Sequence, residues 1–374
     1  MIYLDYAATS LKKPESVKNA VRRATAGLSA NPGRGGHRYA LRAAEAVYEA
    51  RERIARYFGV ASAAQVVFTK NATEALNLAI KGIARPGDEI VISPLEHNSV
   101  YRPARALAGE RLRVAQIDLA RPEEMAERFW EAVTPRTKLV VLTQQSNVNG
   151  YIMPVEAIAL ALRERGVPFV IDASQSAGVE PIDVERLGAA AVCTAGHKSL
   201  YGPQGTGLLL AGADTRFETV MEGGSGSKSE RDEMPEELPE RLEYGTLNVP
   251  GIVGLSAGIT FVDDFGEEIR RNEYLMASEM VEGLASLGYR VLADFPPERR
   301  SAVVSFLEEG VPSELTAEKF ERQGVALRAG LHCAPLAHRF LGTFETGTVR
   351  ASVGAFTSFR EIRRFLKIAE RVRK

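Results

Sequence analysis

Thr194-Ala195-Gly196-His197-Lys198-Ser199-Leu200-Tyr201-Gly202-Pro203-Gln204-Gly205 follows the apolar run Ala190–Thr194. The pattern predicts a strand that feeds a glycine-bracketed turn. A lysine just past a strand end lies at the mouth of an α/β sheet, where ligands bind. Lys198 is therefore a candidate for covalent chemistry. A desolvated mouth lowers a lysine's pKa and leaves part of it as neutral amine. Most lysines are plain surface groups, so the reading depends on what surrounds this one.

Outward from this turn, short apolar runs alternate with helical patterns. Strands are expected at Val66–Thr69, Glu89–Ser93, Leu112–Ile117, Lys138–Thr143, Pro168–Asp172, Ala190–Thr194 and Gly207–Leu210. Helices are expected at Glu15–Ala30, Leu41–Phe58, Thr73–Gly82, Pro122–Val133 and Pro154–Arg165. Several of the strands are apolar on both faces, which predicts an α/β sheet covered on both sides. From about residue 223 the texture changes. GGSGSKSE reads as a flexible loop, and the acidic RDEMPEELPERLE as a solvated linker. A long helix from Gly254 to Leu287 then leads into a C-terminal α/β segment. The expected division is 15–260 as a large domain, with 1–14 and 261–374 forming a smaller one.

Three further places carry candidate chemistry. Asp172 ends the strand PFVID. It is a candidate N-cap, a metal ligand or a counterion for a protonated ring nitrogen. Gln175 either completes that cap or donates to a ligand oxygen. Asn71-Ala72-Thr73-Glu74 follows VVFT and opens a helix, either as a simple cap or as an anion site. His97, after EIVIS, is either held by backbone or stacked on a flat ring.

The 374 residues suffice for a large and a small domain, and 45% hydrophobic content supports a sizeable core. A net charge of -1 favours neither nucleic acid nor an anionic membrane as partner. Apolar runs are too short for a membrane span. MIYLDYAATS has no basic stretch followed by an apolar one, so no signal peptide is expected and a cytoplasmic location is. Two cysteines, Cys193 and Cys333, cannot make a disulfide framework.

The motifs YLDYAATS, NPGRGGHR, FTKNATEALNLAI, LEHNSV, QSNVNG, IDASQSAG, AGHKSLYGPQGTG, YGTLNVPG, RAGLHCAPLAH and GTVRASVGAFTS run in order along nearly the whole chain. Together they resemble the class V aminotransferase family of fold-type I pyridoxal 5′-phosphate (PLP) enzymes, in its cysteine desulfurase and selenocysteine lyase branch. The resemblance implies an α/β fold whose large domain has a mostly parallel seven-stranded sheet, with a smaller C-terminal α/β domain. It implies PLP held as a Schiff base on Lys198, with Asp172 on the pyridine nitrogen and Gln175 on the phenolic oxygen. His97 would stack on the ring and act in catalysis, and Ala72, Thr73 and His197 would hold the phosphate. Gly245 and Thr246 would reach the phosphate of a neighbouring subunit, which implies a homodimer. Asn147 and Arg350, with Arg328 close by, would bind the substrate carboxylate, to which an arginine fork is matched. There are departures. The family often has serine where Ala195 stands, and Thr194 is the candidate to compensate. Tyr6 stands where a small or amide residue is common, which predicts a narrower mouth. Leu247 replaces a usual proline, with little effect expected.

Cys193 lies inside a strand and reads as structural. Cys333, in Arg328-Ala-Gly-Leu-His-Cys-Ala-Pro, has loop neighbours and an arginine, which favour a reactive thiolate. Zinc on His332, Cys333 and His338 is disfavoured, because adjacent residues do not easily share one tetrahedral site. No metal is expected. The RxGxHC pattern resembles the short-loop desulfurases and the related selenocysteine lyases. The implied reaction converts L-cysteine to L-alanine. Lys198 removes the Cα proton, Cys333 attacks the substrate sulfur, and Cys333 keeps a persulfide. An acceptor protein or small thiol must then take the sulfur, with iron–sulfur cluster assembly as an expected outlet. The alternatives are a selenocysteine lyase, a class V aminotransferase or epimerase-like enzyme that does not use Cys333, and a non-catalytic PLP-binding regulator.

Overall fold

A computed structural model describes residues 1–33 and 35–373. Arg34 of the NPGRGGHR motif lies outside them. The strands are β1 (Ile2–Tyr3), β2 (Val66–Thr69), β3 (Glu89–Ile92), β4 (Leu112–Val114), β5 (Thr137–Thr143), β6 (Phe169–Asp172), β7 (Ala191–Ala195), β8 (Gly207–Ala211), β9 (Arg290–Val291), β10 (Val303–Leu307), β11 (Val325–Ala326) and β12 (Val349–Ser352). The helices are α1 (Glu15–Gly27), α2 (Arg38–Tyr57), α3 (Ala72–Ile83), α4 (Asn98–Ala108), α5 (Met125–Ala132), α6 (Val155–Glu164), α7 (Val184–Leu187), α8 (Val249–Ser286), α9 (Ser313–Glu321), α10 (Pro335–Phe340) and α11 (Phe359–Arg373).

Among the described residues, seven strands form the main sheet in the order β2-β8-β7-β6-β5-β3-β4. β8 runs antiparallel to both of its neighbours, and the other pairs are parallel. Strands β2, β3, β6, β7 and β8 are buried along their whole length, as strands of a sheet covered on both faces must be. The carboxyl ends of β5, β6 and β7 align through the pairs Thr143↔Asp172 and Asp172↔Cys193. That register brings the turns after these strands to one crevice.

Beyond α8, β9, β10 and β12 form an antiparallel sheet, and β1 pairs in parallel with β11. The N-terminus is thereby tied to the C-terminal part, with an additional bridge from Asp5 to Ser352. A second core, including Phe306, Phe320 and Phe365, sits here. No helix of the described residues is long and apolar enough to cross a membrane.

Three expectations need correction. Helix α4 was not anticipated, because Pro103 lies in its interior and reads as a breaker. Burial of that proline among the helix's apolar residues outweighs the lost hydrogen bond. The long helix starts at Val249, five residues earlier than expected, where the Asn248 side chain accepts from the Gly251 N–H. The acidic segment is not solvated throughout. Its Glu243 is 9% exposed, accepts the Phe68 N–H of β2 at 2.7 Å, and pairs with Arg51 of α2. A buried pair left without one partner is strongly destabilising. Glu243→Ala is expected to cost about 3–5 kcal/mol in urea unfolding, whereas Ala at exposed Glu236 should cost almost nothing.

Candidate active site

A cavity of about 220 Å³ opens at the carboxyl ends of the strands. Its wall includes Ala72, Thr73, His97, Asn147, Asp172, Gln175, His197, Lys198, Arg328 and Arg350. Residues spread over most of the chain thus meet in one place. Gly245 and Thr246 do not join them. Both are exposed, and Thr246 lines a different depression beside Glu74. A larger cleft of about 840 Å³ lies between α8 and residues 298–302, and among the described residues only Gln145 borders both.

Lys198 is half-buried, and it lines the cavity. Burial lowers its pKa to about 8, and the Asp172 carboxylate pulls the other way. A fair fraction of the amine is therefore neutral near physiological pH. Asp172 is 3% exposed. One of its oxygens accepts the Ser174 N–H at 2.9 Å and the Ser174 hydroxyl. Among the described residues no helix begins directly after Asp172, so it is not an N-cap; Oδ1 instead holds the turn at Ser174 and leaves Oδ2 outside that contact. Gln175 does not complete a cap; its amide donates to the Ala7 carbonyl at 2.9 Å.

His97 caps α4. Its Nδ1 accepts the Ser99 N–H at 3.1 Å, which puts the ring proton on Nε2. Burial, then the Lys198 charge, depress its pKa to about 4, so the ring is neutral. His197 is likewise lowered to about 4 by burial, Lys198 and Lys13. At the start of α3, the Asn71 side chain takes the Glu74 N–H at 2.9 Å. The N–H groups of Ala72 and Thr73, in the helix's first turn, remain for an anion. Gly207 permits this approach: a Cβ there would lie 2.6 Å from the Asn71 carbonyl carbon. Thr194 does not replace the missing serine at 195, since its hydroxyl donates to the Ala173 carbonyl at 3.2 Å. Tyr6 does not narrow the mouth. It is 7% exposed and packs edge-on against Tyr3, with ring centroids 5.2 Å apart.

Arg350 is 1% exposed. It donates to the Asn147 carbonyl and to Asp5 Oδ1, each at 2.9 Å, while its buried Nε has no partner among the described residues. Asn147 donates to the His332 carbonyl at 2.8 Å. That hydrogen bond holds the Cys333 loop, a role not anticipated from sequence. Cys333 is exposed, at φ 56°, and follows His332 at φ 48°. Successive left-handed non-glycine residues store strain, which the surroundings must hold. His332 supplies the hold through Nε2 to the Thr348 carbonyl at 3.1 Å. The Asn98 N–H grips the Cys333 carbonyl at 2.8 Å, beside His97. Arg328 Nη2 stands 3.7 Å from Cys333 Sγ. His332 and His338 are bonded to threonines, and no cluster of three or more metal-ligating side chains is found among the described residues.

Sequence reasoning missed Asp5, Ser174, Glu96 and Lys13 as contributors. Glu96 is buried beside His97, accepts the Thr143 N–H at 2.8 Å, and is raised to about 8 by burial. Asp5 and Lys13 had a signal: with Lys12 they are the three charges in the otherwise uncharged YLDYAATSLKKP.

The family described as Aminotransferase class-V matches residues 2–365. The chain belongs to the class V aminotransferase family. A probable cysteine desulfurase of Methanothermobacter thermautotrophicus is 34% identical over 96% of this chain and 92% of its own length. One from Mycolicibacterium paratuberculosis is 34% identical over 100% of this chain, which spans only 55% of that longer protein. The apo structure of a cysteine desulfurase from Thermococcus onnurineus NA1 superposes with a TM-score of 0.89, at 32% identity, over 99% of this chain and 94% of that one.

Class V aminotransferases use pyridoxal phosphate. The cavity suits it, with a partly neutral lysine, a buried carboxylate, a neutral imidazole and free N–H groups at a helix start. The apoprotein is expected to capture pyridoxal phosphate faster as pH rises through about 8, because the neutral fraction of Lys198 grows with pH. Stopped-flow absorbance measures this, and Lys198→Ala should show no covalent capture. A midpoint near the ordinary lysine value of about 10.4 would contradict the burial argument.

Proposed function

We propose that this enzyme is a cysteine desulfurase, with the exposed thiol of Cys333, 3.7 Å from the cavity-lining Arg328, as the observation that carries the reading. An aminotransferase does not need a cysteine there. The names of the relatives support the same activity.

When bound, pyridoxal phosphate supplies an electron sink beside the substrate's Cα. We assign its pyridine nitrogen to Asp172, its ring face to His97, its phenolic oxygen to Gln175, and its phosphate to Ala72, Thr73 and His197. Lys198 Nζ serves as the base for the Cα proton, and a pKa of about 8 suits it to take and return that proton. The unpartnered Nε of Arg350 and the nearby Arg328 suit the substrate carboxylate, with Asn147 fixing the loop as well. Cys333 Sγ attacks the substrate sulfur. A new S–S bond forms as the Cβ–S bond breaks, Cβ takes the electron pair and then a proton, and alanine leaves. Cys333 retains the sulfur as a persulfide, which a second thiol must remove. Exposure of Cys333 supports delivery to an acceptor protein or small thiol, including those that serve iron–sulfur cluster assembly.

We further infer a homodimer in which Gly245 and Thr246 serve the partner's phosphate site. Their exposure, and their distance in the fold from their own cavity, support this. The division into a large domain over 15–260 and a small one formed by 1–14 and 261–374 is supported by the β1–β11 pairing and by the separate core beyond α8. Two free cysteines accord with a reducing compartment such as the cytoplasm.

Cys333→Ser is expected to keep the cofactor's absorption but to lower alanine release from L-cysteine by at least about 1,000-fold. Wild-type turnover in that variant would remove Cys333 from the mechanism and favour an aminotransferase.

A further inference from the structure

The carbonyl of His197, one peptide before Lys198, is surrounded by donors from the N-terminal segment. The Ser10 N–H lies at 3.1 Å, the Ser10 hydroxyl at 2.9 Å and the Lys13 ammonium at 3.0 Å. The Thr9 hydroxyl lies farther, at 3.3 Å. Lys13 also donates to Ser10 Oγ at 2.6 Å. Ser10 is 2% exposed and Lys13 is half-buried, so water does not readily replace these bonds. Burial alone lowers Lys13 to about 8.

A carbonyl oxygen has two lone pairs, and a hydroxyl has one proton. Lys13 occupies an acceptor position on Ser10 Oγ, which turns the Ser10 proton onto the His197 carbonyl. With the Ser10 N–H and the ammonium also there, that oxygen is saturated. The Thr9 hydroxyl has a better acceptor: His197 Nδ1, at 3.0 Å. A proton donated to Nδ1 leaves the ring's own proton on Nε2. His197 lines the cavity, and an N–H donor is what an anion there requires.

We propose that Lys13 is a positioning residue for the cofactor's phosphate, acting through Ser10 and Thr9 to fix the His197 tautomer with its proton on Nε2. This device adds a controlled donor to a site where Ala195 supplies none. It also makes the N-terminal segment, which pairs with β11, part of the cofactor site. It rests on the family's cofactor and not on cysteine as the substrate, so its failure would leave the desulfurase reading intact.

The test compares pyridoxal phosphate with pyridoxal, which lacks the phosphate, in titrations of the full-length apoprotein. Lys13→Met should weaken pyridoxal phosphate binding by about tenfold, as loss of a charge-directed hydrogen bond does, and leave pyridoxal within about twofold. Lys13→Arg should restore binding. Thr9→Val, which keeps the Ser10 and Lys13 bonds to the carbonyl and removes the hydroxyl's contact to Nδ1 together with its longer 3.3 Å contact to the carbonyl, should show the same phosphate-selective loss. In ¹⁵N spectra the His197 Nδ1 should be unprotonated in the wild type and mixed in Lys13→Met. An equal loss for both ligands, or no loss, would overturn the proposal. If Lys13→Met does not fold, Thr9→Val decides by the same criterion.

Discussion

Asp172 ends a strand whose other residues are buried and apolar, and its own side chain is 3% exposed. A charge in that position is costly unless it is compensated. Ser174 compensates one oxygen through its N–H and hydroxyl. Lys198, on the turn after the neighbouring strand, compensates electrostatically. The same carboxylate bears on the groups around it. It raises Glu96 and the buried Cys193, and it partly offsets the burial that depresses His97. The protonation pattern of the site, with a neutral imidazole and a partly neutral lysine, is set first by burial, and the Asp172 charge limits how far burial shifts both groups.

The second support is mechanical. Arg350, Asn147 and His332 form a chain of hydrogen bonds from Asp5 to the loop that carries Cys333. The loop's left-handed residues are held at both ends, by Thr348 on His332 and by the Asn98 N–H on Cys333. The loop that carries the thiol is therefore held beside the cavity-lining Arg328 while Cys333 stays exposed. A carrier sulfur needs both properties: a defined approach to the substrate and access for the next acceptor.

Much of this was legible in the sequence. Strands β2, β6 and β8 fell within a residue or so of their expected bounds, because strands buried on both faces are largely unbroken apolar runs. Lys198, Asp172, His97 and Arg350 were each ambiguous alone, and the cavity that joins them is a product of register between distant strands. Helix α4 was hidden by Pro103, and Glu243 by its acidic neighbours, since neither burial nor an ion-pair partner can be read from local composition. Asn147 shows a further limit. The residue lines the cavity, but its amide holds the His332 carbonyl, a contact across 185 residues. The effects expected of Tyr6 and Thr194 failed for a similar reason, because side-chain direction at a strand end or turn follows from packing.

The most direct measurement is peptide mass spectrometry of the cofactor-loaded protein after brief exposure to L-cysteine without an added thiol. The expected result is one additional sulfur on Cys333, none on buried Cys193, and alanine in matching amount. Alanine release with Cys333 unmodified would contradict a persulfide carried by that residue.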